Sequence, residues 1–275
     1  MRNIKLTLAY DGTDFSGWQI QPGQSTVQGH LNDLAEKLTQ SRVTMQGAGR
    51  TDAGVHASGQ VANFKTESEM SPEEFQRALN ALLPPSIRVM ASEEIGPDFH
   101  SRWDALAKTY RYRIFRGRVV PPPLWRYVQH DFSKLDFEAM AEAARQFEGE
   151  HDFTSFAAST GSEEDDRERL VVRTIYRSEF LRIPSDSAAE GAEEWVYVVR
   201  GKSFLRYMVR KMVGTIVDVG RGRIRPEDIP PLFALRDRSK SGPTMPPQGL
   251  CLVGVEYPES GNSLGTRDMS SPVIL

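Results

Sequence analysis

Apolar and polar positions in the first hundred residues predict four strands and two amphipathic helices. Every second residue from 4 to 10 is apolar or aromatic, which is typical of a half-buried strand. Apolar residues from Thr26 to Leu38 recur at spacings of three and four and predict a helix. Ser71-Pro72-Glu73-Glu74 is typical of a helix start, so a second helix is predicted through Leu83. The remaining strands are predicted over residues 42–46, 59–64 and 87–91.

The second half of the chain repeats this alternation of strands and helices, with one strand before and the other elements after the prolines at 121–123. Strands are predicted over 108–116, 171–183, 194–202 and 250–255, and helices over 136–147 and 204–219. The order strand, helix, strand, strand, helix, strand is that of the split βαβ unit. We therefore expect an α+β fold of two ferredoxin-like halves, with mainly antiparallel sheets flanked by helices.

The same pattern suggests where the halves and the loops lie. The predicted boundary falls near residue 105, giving an N-terminal half over 1–105 and a C-terminal half over 106–258. The segment 185–194 is small and acidic and predicts a solvated hairpin loop. The Ser- and Gly-rich tail over 259–275 is expected to be flexible.

Composition narrows the class of protein. The chain has 275 residues and a single cysteine, Cys251, which excludes an intrachain disulfide and multi-cysteine zinc sites. The five histidines lack the spacing of metal ligands, so no metal is expected. The first residues contain no apolar run typical of a signal peptide, and no stretch is long enough to span a bilayer, which predicts a cytoplasmic protein without membrane contact.

A formal net charge of −3 gives no global argument for nucleic-acid binding. Locally, seven basic residues between Arg102 and Arg126 accompany one acid, and eight between Arg200 and Arg225 accompany one acid. Aromatic residues interleave with both stretches, a mixture suited to phosphate contacts and base stacking. The alternative is that strand and helix surfaces simply carry arginine.

The segment 47–57 contains side chains suited to catalysis close together in the sequence. It reads Gly-Ala-Gly-Arg-Thr-Asp-Ala-Gly-Val-His-Ala. Three glycines place an arginine, a carboxylate and an imidazole in one loop between strands: Arg50, Asp52 and His56. A tight turn in which Asp52 caps backbone amides is one interpretation. A phosphate loop is disfavoured, because the segment lacks a Gly-Lys-Ser/Thr ending and leads into a strand rather than a helix.

The run GRTDAGVHASGQVANF (49–64) resembles the catalytic motif of the TruA family of tRNA pseudouridine synthases. Five further blocks resemble that family in the same order: YDGTDFSGWQIQP (10–22), DFHSRWDALAKTYRYRI (98–114), GEHDFTSF (149–156), FLRYMVRKMVG (204–214) and GLCLVGVEYP (249–258). The likeness covers nearly the whole chain from Lys5 to Tyr257. Cys251 departs from it, because an aromatic residue is frequent there.

The resemblance implies a pseudouridine synthase fold and the isomerisation of uridine to pseudouridine at positions 38–40, in the anticodon stem-loop of tRNA. It implies no cofactor and no metal, and a homodimer with tRNA lying across both subunits. In the family's motifs, the nucleophile matches Asp52, the tyrosine that contacts the target base matches Tyr110, and the arginine that pairs with the carboxylate matches Arg210. The leucine that lines the pocket matches Leu250.

The chemistry is consistent with these residue types. A carboxylate can attack carbon and later leave. It must be ionised, and a guanidinium counteracts the rise in pKa that desolvation causes. Arg210 lies four residues after Arg206, so both are expected on one face of the predicted helix, and only Arg210 matches the motif.

Other roles remain open at several positions. Arg206 and Lys211 are expected to contact the RNA backbone, and Arg50 and His56 to bind substrate. His56 alternatively fills a turn, Arg210 is alternatively a surface arginine, and Tyr110 alternatively packs in the core rather than stacking on an extruded base.

A different class of function is also compatible with the pattern. Repeated βαββαβ layers with aromatic residues on a sheet describe non-catalytic RNA-binding proteins as well. The aromatic and basic octamer that marks those modules is missing from this sequence. A nucleotide-dependent enzyme is disfavoured because there is no phosphate loop.

Overall fold

The computed structural model describes residues 1–159, 170–184 and 192–258. The tail over 259–275 that was expected to be flexible, and residues 185–191 of the predicted hairpin loop, lie outside the described residues. Within the described part of the chain, none of the helices is long and apolar enough to cross a membrane.

The N-terminal half forms a βαββαβ unit in the predicted order. Its elements are β1 (Arg2–Tyr10), α1 (Val27–Thr39), β2 (Gln46–Gly47), β3 (His56–Thr66), α2 (Pro72–Leu82) and β4 (Ile87–Ile95). The strands pair antiparallel in the order β4-β1-β3-β2, which is the arrangement of a ferredoxin-like layer. The Ser71 cap predicted from the sequence is confirmed, because the Ser71 hydroxyl accepts from the Glu74 amide and the Glu74 carboxylate accepts from the Ser71 amide.

The C-terminal half repeats this arrangement with additional short elements. These elements are β5 (Ala107–Phe115), β6 (Gln129–His130), α3 (Phe137–Arg145), β7 (Gly149–Asp152), β8 (Val172–Pro184), β9 (Glu193–Gly201), α4 (Met208–Gly220), α5 (Ile229–Leu235) and β10 (Leu250–Glu256). The four long strands lie in the order β10-β5-β9-β8, the same order as in the first half. The predicted α+β class, with mainly antiparallel strands flanked by helices, is confirmed.

The two halves meet along β10, which lies between β3 and β5. It pairs parallel to β3 and antiparallel to β5, so that Leu252 lies opposite both Ala57 and Tyr110. The described strands therefore form one sheet of ten, running through β4-β1-β3-β10-β5-β9-β8-β7 with β2 and β6 as side pairings. The predicted boundary near residue 105 falls between β4 and β5, and the division into domains over 1–105 and 106–258 stays a prediction.

The strand predicted over 42–46 is wrong for most of its length, because only Gln46 and Gly47 join the sheet. The amides before them are bound by side chains of α1. The Val43 amide donates to the Glu36 carboxylate at 3.2 Å, and the Met45 amide donates to the Asn32 side-chain oxygen at 3.0 Å. These contacts hold the segment against the helix instead of in the sheet.

The helix predicted over 204–219 begins later than expected, at Met208, and ends at Gly220. Tyr207 has a φ of 62°, in the left-handed region, and a helix cannot continue through that conformation. Phe204 to Tyr207 therefore form a turn that leads into α4. Arg206 lies in this turn, so the expectation that it shares a helix face with Arg210 is wrong.

Candidate active site

The loop between β2 and β3 is fixed by the segment that follows β1. The Trp18 amide donates to the Thr51 carbonyl at 3.0 Å, and the Tyr10 hydroxyl lies 2.8 Å from the Thr51 hydroxyl. Gly17 has a φ of 89°, and a Cβ there would lie 2.6 Å from the Thr51 carbonyl oxygen. This close approach of two backbones requires glycine and holds the residue before Asp52 in place.

Asp52 lies at the centre of this loop, with 22% of its side chain exposed. Its Oδ2 lies 3.4 Å from Nη1 of Arg210, a residue 158 positions further along the chain. Burial raises the pKa of the Asp52 carboxyl, and the charges of Arg210 and then Arg206 oppose that rise. The structure thus brings together the carboxylate and the guanidinium that the sequence motifs nominated.

The Arg210 guanidinium is held by more than Asp52. Its Nε donates to the Met245 carbonyl at 2.6 Å, and the Met245 amide donates back to the Arg210 carbonyl at 3.2 Å. The aromatic ring of Tyr207 lies 4.9 Å from the guanidinium carbon. Because 12% of the side chain is exposed, Arg210 is not the surface arginine of the alternative interpretation.

The segment that supplies the Met245 carbonyl packs directly on α4. A Cβ at Gly214 would lie 1.8 Å from the Pro243 carbonyl oxygen, so the helix and the segment meet backbone to backbone. The Thr215 hydroxyl accepts from the Gly242 amide at 2.9 Å and fixes the same segment. These contacts position the carbonyl that orients Arg210.

Tyr110 and Leu250 lie on the neighbouring strands β5 and β10. Tyr110, on β5, is 7% exposed, and its ring meets the ring of Phe204 edge-on at a centroid distance of 5.0 Å. Burial raises the pKa of Tyr110, and the nearby Tyr10 and Asp52 act in the same direction. Leu250 is buried at the start of β10, opposite Tyr112. Tyr110 therefore has the core contacts of one interpretation and the closeness to Asp52 of the other.

His56 is buried and links separate segments. Its Nδ1 accepts from the Gly12 amide at 3.0 Å, and its Nε2 lies 2.9 Å from the Arg126 carbonyl. Burial lowers the pKa of His56, although the nearby Asp11 carboxylate opposes this. These contacts are the ones expected if His56 fills a turn.

Arg50, two residues before Asp52, is exposed, and it makes no hydrogen bond or ion pair with the described residues. Its side chain is therefore available to a ligand that binds at this loop.

The two basic residues expected to contact the RNA backbone differ in their surroundings. Arg206 is exposed, and its guanidinium donates to the Tyr207 hydroxyl at 3.2 Å and lies 4.8 Å from the ring of that residue. Lys211 is half-buried, and its Nζ donates to the Arg238 carbonyl at 3.1 Å. The exposed Arg206 guanidinium therefore keeps further N–H donors for a ligand, whereas the Lys211 ammonium is half-buried and donates to the protein.

Lys108 also lies in this region. From the sequence it was counted among the basic residues between Arg102 and Arg126, with no role in the site. It precedes Tyr110 by two positions on β5, so the two side chains share a face of the sheet. It is 8% exposed and packs against Gly49, three residues before Asp52. The spacing from Tyr110 is a signal in the sequence, but the burial is not.

The site consists of a partly desolvated carboxylate in the loop between β2 and β3, paired with a guanidinium that α4 supplies from the other half of the chain. This arrangement is suited to nucleophilic chemistry by a carboxylate. Among the residues that the structure describes, no group of three His, Cys, Asp or Glu side chains is placed to hold a metal ion.

Comparison with known proteins gives a consistent result. A family model described as tRNA pseudouridine synthase matches residues 7–104 and 143–258. The chain is 48% identical over 257 residues to tRNA pseudouridine synthase A of Solibacter usitatus, covering 94% of this chain and 100% of that protein. It is 42% identical over 268 residues to tRNA pseudouridine synthase A of Maridesulfovibrio salexigens, covering 98% of this chain and 94% of that protein. The chain therefore belongs to the tRNA pseudouridine synthase family.

Among solved structures, the chain matches one described as the archaeal box H/ACA sRNP Nop10-Cbf5 complex. The TM-score is 0.31 and the identity 11%, over 78% of this chain and 44% of that one.

Proposed function

We propose that this protein converts uridine to pseudouridine in tRNA, with Asp52 as the nucleophile. The observation that carries the proposal is the pairing of Asp52 with Arg210, at the positions where the family's motifs place a carboxylate and its guanidinium. The net reaction breaks the N1–C1′ bond and forms a C5–C1′ bond. The proton on C5 is lost and N1 gains one. Because no electrons are gained or lost, the reaction needs no redox cofactor.

The surroundings of Asp52 suit each stage of this reaction. A uracil within a stem or loop must leave its stack before a side chain reaches it. Tyr110 and Leu250 are buried on the neighbouring strands β5 and β10, and Arg50 is exposed two residues before Asp52. Arg210 opposes the effect of burial on Asp52, so more of the carboxylate is in the ionised form that attacks carbon.

The finer parts of the proposal rest on the resemblance of the sequence blocks. They are modification at positions 38–40 of the anticodon stem-loop, a homodimer with tRNA across both subunits, no bound cofactor, and a cytoplasmic location. Light scattering with and without tRNA tests the dimer, and mapping of pseudouridine along the modified tRNA tests the positions.

The test of the activity is release of tritium from tRNA labelled at C5 of uridine. The wild-type protein is expected to release label in step with the appearance of pseudouridine, because C5 loses its hydrogen only when the new bond forms. The variant Asp52→Asn is expected to bind the same tRNA and release none. Binding of tRNA by the wild-type protein without release of label would favour the non-catalytic RNA-binding alternative instead.

A further inference from the structure

Lys108 is a largely buried cation for which the described residues supply no counterion. It is 8% exposed, and its ammonium makes no hydrogen bond or ion pair with any residue in the described ranges. A buried charge without a partner costs free energy, so proteins rarely retain one that has no use. The surroundings of this lysine therefore indicate which anion it is placed to meet.

The side chain of Lys108 runs along the loop that carries Asp52. Its Cε, Cδ and Nζ lie 3.6, 3.8 and 3.9 Å from the point that a Cβ at Gly49 would occupy. Its backbone lies two residues before Tyr110 on the same face of β5. The ammonium is thus held beside the backbone of the loop, at the end opposite to Asp52 and Arg210.

The charged groups around Lys108 are cationic. Burial lowers the pKa of Lys108 to about 8, and the charges of Arg102, in the segment before β5, and of Arg173, on β8, act in the same direction. Its cross-strand neighbours are Gly201 on β9 and Val255 on β10, which carry no charge. Asp52, in the adjacent loop, is paired with Arg210.

The structure assigns Lys108 the role of binding a backbone phosphate of the RNA, next to the nucleotide whose base enters the Asp52 site. The role rests on the proposed function, because it takes the ligand to be RNA. A phosphate oxygen would supply the negative charge that the described residues do not place beside this ammonium. Arg102, which is exposed beside it, adds positive potential at the same position.

Lys108 is therefore a positioning residue, and its replacement should affect binding more than chemistry. For Lys108→Met, KM for tRNA is expected to rise about tenfold, as for the loss of one charge-assisted contact, while kcat stays within about twofold. The slope of log affinity against log salt should become shallower by about 0.9, the value for one phosphate contact. The control Lys37→Met, at an exposed lysine of α1, should change neither quantity.

A second variant tests the charge without removing it. Because the pKa of Lys108 is about 8, tRNA affinity of the wild-type protein should weaken as the pH rises from 7 to 9.5. Lys108→Arg should bind with nearly constant affinity over that range, because a guanidinium stays charged. This arm remains informative even if Lys108→Met does not fold.

The outcomes separate this inference from the function on which it rests. A wild-type protein that releases no label from tRNA contradicts the proposed function. An active wild type whose Lys108→Met variant keeps its KM and salt slope contradicts the phosphate contact. A variant that loses kcat and keeps KM also contradicts it, because Lys108 would then act in the chemical step.

Discussion

The two ends of the loop from Gly49 to Asp52 hold buried charges in different ways. At one end, Asp52 has Arg210 within 3.4 Å, and Arg210 is itself fixed by the Met245 carbonyl. At the other, Lys108 packs against Gly49 with cations as its charged neighbours. The counterion of Asp52 is in place before the substrate binds, and it opposes the rise in pKa that burial causes. In the proposed role of Lys108, the counterion is instead a phosphate that the RNA brings.

The largest effect is expected from removing the compensated carboxylate. Asp52→Asn should lower the rate of pseudouridine formation by about 10⁴-fold or more, because the nucleophile is lost, while tRNA affinity stays nearly unchanged. Single-turnover assays with labelled tRNA measure the first quantity and equilibrium binding the second. Asp33→Asn, at an exposed position of α1, is the matched control. Wild-type turnover by the Asp52 variant would remove Asp52 from its proposed role.

The next largest effect is expected from removing the counterion. Arg210→Ala should lower kcat at neutral pH by about 10²–10³-fold, since a preorganised charge beside the reacting group is lost. Arg210→Lys should recover only part of the rate, because an ammonium lacks the planar fork that contacts both Asp52 and Met245. Arg145→Ala, at an exposed arginine of α3, provides the control. Full recovery by lysine would show that charge alone matters.

The uncompensated charge should show its cost in stability. Folding lowers the pKa of Lys108 from 10.5 to about 8, so below pH 8 the folded state bears the whole cost of a buried ammonium. Lys108→Met should therefore be more stable than the wild type at pH 7 by roughly 1–3 kcal/mol.

The sign of this difference can be checked by changing the pH. Between pH 8 and 10.5 the folded protein loses the proton while the unfolded chain keeps it, so the wild type gains stability relative to the variant. Denaturant unfolding at pH 7 and pH 10 measures the change. If Lys108→Met were less stable than the wild type, by the same free energy of unfolding at pH 7 and at pH 10, the prediction would be contradicted. The folded protein would then hold a counterion for Lys108.

The smallest effect distinguishes two neighbouring cations on the same side of the site. Arg206→Ala should make the salt dependence of tRNA binding shallower by about one contact, because its exposed guanidinium is available to a phosphate. Lys211→Ala should leave the salt dependence nearly unchanged, since its ammonium donates to the Arg238 carbonyl. Equal slopes for the two variants would contradict the difference in their surroundings.

Local patterns predicted most of the fold. The alternation along β1, the cap at Ser71 and the repeated order of elements were sufficient, because each depends on residues close together in sequence. The coil before β2 was not predictable, since its amides are bound by Glu36 and Asn32 of α1. The start of α4 was missed because the apolar spacing continues through Leu205, whereas the left-handed Tyr207 interrupts the helix.

The parts of the site that lie within the family's sequence motifs were predictable. Asp52 and Arg210 were both nominated, and the structure brings them together across 158 positions. The burial of His56 depends on the carbonyl of Arg126, and that of Lys108 on Gly49. These contacts arise only when distant segments meet, so no local pattern in the sequence reports them.

The central claim is that Arg210 acts against the effect of burial on Asp52, and the acid limb of the pH profile tests it most directly. The measurement is kcat/KM for tritium release against pH, for the wild type and Arg210→Ala. Activity requires ionised Asp52, so it falls as the pH drops through the pKa of that carboxyl, which burial has already raised. Without Arg210 the pKa should rise further, moving the acid limb to higher pH. An acid limb at the same pH in both proteins would contradict the account.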